Sequence, residues 1–113
     1  MLCRAVLGHE IPERAPLRVT AGQRVNAEKR DSPWPAFVFV TADNGEGWVP
    51  SRHLDAGSGP ATVIAPYDTT ELATTAGQVL TIVTHDVQSG WIWVRAADGQ
   101  EGWVPDETVE LLQ

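Results

Sequence analysis

The chain is 113 residues long, 42% hydrophobic and 20% charged, with a formal net charge of −7 at pH 7. That balance describes a folded globular chain rather than a disordered one. No apolar run approaches the ~18 residues of a membrane span, the start Met1-Leu2-Cys3-Arg4 lacks the long apolar core of a secretory signal, and Cys3 is the only cysteine, so a cytoplasmic chain without an internal disulfide or a Cys-based metal site is expected.

Apolar residues come in short β-branched and aromatic runs broken by Gly, Pro, Asn and Asp, which predicts strands throughout and an all-β fold. The first firm turn is Asp43-Asn44-Gly45, whose residues accept positive φ and suit a tight hairpin; Gly47-Trp48-Val49-Pro50 follows it. Residues 55–60 are rich in Gly, Ser and Pro and read as a linker. Thr62-Val63-Ile64-Ala65 then begins a set of strands that continues at 78–84, 91–95 and 102–104. A second tight turn, Ala97-Asp98-Gly99-Gln100, joins the last two, and a short strand around Val109-Glu110-Leu111-Leu112 closes the sheet.

The tetrapeptide at 47–50 recurs as Gly102-Trp103-Val104-Pro105, an offset of 55 residues (102 − 47). The same offset places Leu17 on Leu72, Thr20-Ala21-Gly22-Gln23 on Thr75-Ala76-Gly77-Gln78, Asp31 on Asp86 and Glu46 on Glu101. Over residues 16–54 there are 13 identities in 39 positions, spread along the unit, which argues for duplication. Two domains are therefore expected, at 1–56 and 62–113 with a linker at 57–61. A unit of this size must curl on itself to fold, and five short strands closed into a small barrel around Ile64, Leu72, Leu80, Ile82, Val94 and Val104 meet that need. Charge divides unevenly: residues 58–113 carry Arg95 alone against eight Asp and Glu, which repels phosphate backbones and anionic lipid and attracts Arg or Lys. Nucleic acid and membrane are accordingly not expected as partners.

The second copy resembles the Src-homology-3 (SH3) domain along about residues 62–112, in its bacterial variant. Ala65-Pro66-Tyr67-Asp68 is similar to the family's opening Ala-Leu-Tyr-Asp-Tyr, Glu71-Leu72 with Ala76-Gly77-Gln78-Val79-Leu80 to its acidic loop and second strand, Trp91-Ile92 to its Trp pair, Gly99 and Gly102 to its spaced glycines, and Val104-Pro105 to its aliphatic-Pro pair. Two tandem five-stranded SH3-like barrels are the fold this implies. The implied function is binding of proline-rich peptides, whose polyproline II ridges sit between flat aromatic walls and arrive with little entropy to lose. By resemblance the groove comprises Tyr67, Trp91 and Pro105, with Glu71 and Asp86 available to a basic ligand residue; Thr69 and Thr108 stand where the family has two further tyrosines. A possible second groove in the first copy comprises His9, Trp34, Pro50 and His53, with Ala36 falling opposite Trp91 under the gapless offset.

Strand parity puts Trp91 and Trp93 on one face and Ile92 and Val94 on the other; the aliphatic pair makes the more natural core, leaving the tryptophans outside. Trp48 and Trp103, identical in the repeated motif, read as scaffold or inter-lobe residues. The chain has no phosphate-cradling Gly-rich loop, nucleophile elbow or His-Glu-x-x-His pair, so no enzyme and no cofactor or metal is expected. The expected function is a non-enzymatic, adaptor-like module whose acidic second barrel takes basic, proline-containing protein segments. A structural role, with the tryptophans buried, and a peptidoglycan-binding role are the alternatives.

Overall fold

A computed structural model describes residues 1–112; Gln113, the last residue of the second predicted barrel, lies outside them. The described residues are all-β, with eleven strands and two 3-10 turns, at Ser51–His53 and Asp106–Thr108. They divide into two compact units, and the division is not the one that the repeat predicts. One unit is Arg14–Thr69; the other joins Met1–Glu13 to the chain from Thr70 onward.

The acidic unit contains a five-stranded sheet in the order β10 (Glu101–Pro105), β9 (Trp91–Arg95), β8 (Val79–Asp86), β1 (Leu2–Ala5), β11 (Val109–Leu112). Strand β1 thus lies between β8 and β11, antiparallel to both, with Cys3 opposite Leu80 on one side and Leu111 on the other. Its alternation sends Cys3 and Ala5 inward, where Cys3 joins Leu72, Leu80, Ile92, Val94, Ala96 and Val104 in one core. Burial pushes the Cys3 thiol pKa up.

The neutral unit holds a four-stranded sheet, β5 (Gly45–Pro50), β4 (Phe37–Ala42), β3 (Arg24–Glu28), β6 (Gly59–Thr62), and a two-stranded pair of β2 (Arg18–Val19) with β7 (Tyr67–Asp68). Part of the predicted linker is therefore strand: β6 pairs along β3 with Val25 opposite Ala61. The expected strand 62–65 starts earlier than predicted, and Val63 rather than Ile64 enters the core; Ile64 is 58% exposed. Each sheet places its opening strand as the other does. Ala5 N–H donates to Gln78 O (2.8 Å) and Gly77 N–H to Ala5 O (2.7 Å), while Val63 N–H donates to Gln23 O (2.9 Å) and Gly22 N–H to Val63 O (2.7 Å).

That equivalence comes from the repeated Thr-Ala-Gly-Gln turn. Gly22 and Gly77 hold φ near +90° (90° and 94°), a conformation that costs a residue with a Cβ, and the amide oxygens of Gln23 and Gln78 accept from Thr20 and Thr75 N–H at 3.1 and 3.2 Å. Each turn presents the same N–H and C=O to whatever strand arrives. The opening strand at 1–5 is accepted by the second body, and the one at 59–63 by the first.

The repeated Gly-Trp-Val-Pro strands differ in one respect. In the acidic unit Trp103 N–H donates to Thr70 O (2.9 Å) and Leu72 N–H to Trp103 O (3.1 Å), which draws the 70–72 backbone over Gly102 so closely that a Cβ there would stand 2.7 Å from Glu71 C and Leu72 N. At Gly47 the nearest atom to a Cβ is the Thr69 methyl at 3.4 Å. Gly102→Ala is expected to lower stability by about 2–4 kcal/mol and Gly47→Ala by under ~1 kcal/mol, as measured by urea unfolding.

Because 14–69 is one continuous segment with all its pairing strands inside it, that fragment is expected to give a dispersed amide NMR spectrum on its own. The fragment 62–113 lacks β1, the middle partner of β8 and β11, and is expected to give the collapsed spectrum of an unfolded chain.

Candidate functional site

In the acidic unit β9 is flanked by two partners in register, and Trp91 stands opposite Asp86 on β8 and Pro105 on β10. His9, from the N-terminal arm, lies against it edge-on at 5.5 Å between ring centroids. His9 Nε2 donates to Glu71 Oε1 at 2.8 Å, and the arm is held there by reciprocal backbone bonds between His9 and Thr74 (3.0 and 3.1 Å). Beside His9 the surface opens into a shallow depression lined by Gly8, Glu10, Ile11, Ala73 and Thr74. His9, Glu71, Asp86, Trp91 and Pro105 thus form one cluster.

Tyr67 is not in it. It belongs to the neutral unit, paired through Val19 on β2, and its ring meets His53 edge-on at 5.0 Å. The two predicted grooves have exchanged their opening aromatic: His9 takes the place assigned to Tyr67, and Tyr67 that assigned to His9. The physical reason is the strand exchange, since each aromatic follows its opening strand. His53 Nδ1 is within hydrogen-bond distance of Ala65 O (3.1 Å), which fixes it beside that strand.

Phe37 was missed by sequence reasoning. It stands opposite Pro50 as Trp91 stands opposite Pro105, so it and not Ala36 is the counterpart of Trp91. The first-copy hairpin is one residue shorter than the second: Thr41 pairs with Glu46, but Arg95 with Glu101. The signal was present in the alternation, because Phe37-Val38-Phe39-Val40 matches Trp91-Ile92-Trp93-Val94 once that residue is removed. Trp34 lies in the loop before β4, its N–H donating to Ser32 Oγ (3.0 Å) and its carbonyl accepting from Phe37 N–H (3.1 Å), and Pro50 is buried.

Parity holds for Ile92 and Val94, both in the core, but the expected exposed Trp91 is a correction: it is 9% exposed. His9 of the N-terminal arm lies against the ring. Trp48 and Trp103 each pack edge-on within their own sheet, on Phe39 and Trp93, with centroids 5.3 Å apart in both cases.

Glu101 ties the outer face together, accepting from Trp93 Nε1–H at 2.7 Å and Arg95 Nε–H at 2.9 Å. The indole hydrogen bond first, and Arg95 second, hold its carboxyl pKa below the usual value. A depressed folded-state pKa means stability that is present above the ordinary carboxyl range, ~4.3, and lost as pH falls through the lowered value. The Trp93 indole N–H resonance is expected to titrate in that acid window, and Glu101→Gln to remove the titration. Among the described residues no group of three or more His, Cys, Asp or Glu is placed to hold a metal ion.

The chain's likeness to known proteins lies in one segment. The variant SH3 domain family matches residues 63–112. No curated protein and no solved structure matches the chain. The segment of the variant SH3 domain crosses from one compact unit to the other: 63–69 lie in the neutral unit and 70–112 in the acidic one. The described residues as a whole are all-β, with short strands and a 3-10 turn after each Val-Pro, which is consistent with SH3-like barrels.

Proposed function

We propose that the protein is a non-enzymatic interaction module whose acidic unit takes basic, proline-containing polypeptide segments along the cluster of His9, Glu71, Asp86, Trp91 and Pro105. The variant SH3 domain at 63–112 supports the general part of this reading, because such domains bind protein or peptide segments. The charge distribution supports the particular part and carries it. The acidic unit holds Arg4 and Arg95 against nine Asp and Glu, which accounts for the whole net charge of −7, while the neutral unit balances six against six. A basic segment approaching the chain is steered to the acidic unit, where Glu71 and Asp86 flank an aromatic and a proline. The neutral unit's related set, Trp34, Phe37, Pro50, His53 and Tyr67, lacks that field.

A second reading is favoured by the burial of Trp91: the aromatic residues are then packing elements of two small sheets, and no groove exists. Titration of labelled protein with proline-rich peptides, with and without arginine, separates the two. The binding reading expects amide shifts clustered around His9, Glu71, Trp91 and Pro105, weakening as salt is raised. Uniformly unmoved signals across a varied peptide set would leave the packing reading.

A further inference from the structure

The two units carry the same aromatic pair on their outer faces, and one of them shows what such a pair holds. Phe39 and Trp48 stand directly opposite on β4 and β5, edge to face at 5.3 Å and 81°; Trp93 and Trp103 stand directly opposite on β9 and β10 at 5.3 Å and 82°. Over Phe39 lies the guanidinium of Arg30, its central carbon 3.8 Å from the ring centroid, with Arg14 at 5.4 Å. Glu28 grips Arg30 through two hydrogen bonds, at 3.0 and 3.3 Å, and that pairing lowers the Glu28 pKa and raises that of Arg30. The neutral unit thus occupies its own aromatic face with its own arginine.

Register fixes what stands there in the acidic unit. Glu28 is opposite Phe39 and Thr84 is opposite Trp93, so two residues further on Arg30 corresponds to Asp86. An acid replaces the guanidinium. The unit's own two arginines are each held by a carboxylate: Arg95 by Glu101, the same group that anchors the Trp93 indole, and Arg4 by Glu110 across β1 and β11. Among the described residues no cation lies over Trp93. Its indole N–H is anchored by Glu101, which fixes the orientation of the ring, and an indole attracts a cation more strongly than a phenyl ring does.

We infer that the outer face of β8, β9 and β10, centred on Trp93, receives an arginine side chain from a partner polypeptide, as the matching face of the neutral unit receives Arg30. The partner's group is a guanidinium and not an ammonium, because a planar, weakly hydrated cation stacks flat on an indole and Arg30 shows that arrangement on the equivalent ring. The acidic field of the unit supplies the long-range attraction. This site goes beyond the groove around Trp91 and stands or fails apart from it.

The test uses the full labelled chain titrated with N-acetyl-arginine amide, and with the citrulline and lysine analogues, while the backbone amides of β8, β9 and β10, which report in every variant, and the Trp93 indole N–H are followed by NMR. Arginine amide is expected to move these resonances with an affinity about two- to fivefold above that of the uncharged citrulline amide, and above that of the lysine amide. Trp93→Ala is expected to abolish the difference and Trp93→Phe, which keeps a flat face, to retain it. Equal responses to arginine and citrulline amides, or an arginine-specific response that survives Trp93→Ala, would overturn the inference. An arginine-free proline peptide reports on the groove separately: its shifts near His9 and Trp91 are expected to persist in Trp93→Phe whether or not the arginine site exists.

Discussion

The fold depends on a backbone register that two different strands satisfy equally. The Thr-Ala-Gly-Gln turn of either copy offers one N–H and one C=O at fixed positions, and Ala5 or Val63 completes them with bonds of 2.7–2.9 Å. Main-chain bonds carry little side-chain information, and both residues are small or branched enough to enter a core, so neither body excludes the other's strand. Everything distinctive in the chain follows: the sheet with a strand from the N-terminus in its middle, the continuous neutral unit, and the traded aromatics of the two clusters.

Much of this architecture is legible in the sequence. The hairpins at Asp43-Asn44-Gly45 and 97–100 form where their turn chemistry places them; Gly99, for instance, takes φ 90°. Strand β9 and the terminal strand Val109–Leu112 occur as predicted. Which opening strand joins which body is not legible, because the recurring Thr-Ala-Gly-Gln turn encodes the same register twice and the local pattern is satisfied by either pairing. The site errors have the same root. Tyr67 and His9 take their places in the expected grooves from the family resemblance, and each travels with its own strand. Phe37 was hidden by a shortened hairpin, since a gapless offset anchored on the identical Gly-Trp-Val-Pro motif carries that one-residue difference into β4.

The two units differ most in their electrostatics. The neutral unit balances its charges and lays Arg30 on Phe39, while the acidic unit carries the net charge of the molecule and has Asp86 at the matching position. The packing geometry of the aromatic pairs is nearly unchanged between the two, with centroid separations of 5.3 Å in each. What has diverged is the charge presented around a preserved frame, which alters the chemistry of a surface without rebuilding the sheet beneath it.

The central position of β1 has a temporal consequence. Leu2–Ala5 are translated before the neutral unit and their neighbours β8 and β11 after it, whereas every partner of the neutral unit has been translated once Thr69 emerges. During translation the neutral unit is thus complete in its pairing strands while β1 still waits for β8 and β11. Pairing β1 with β8 and β11 joins residues far apart in sequence, and such pairings form slowly.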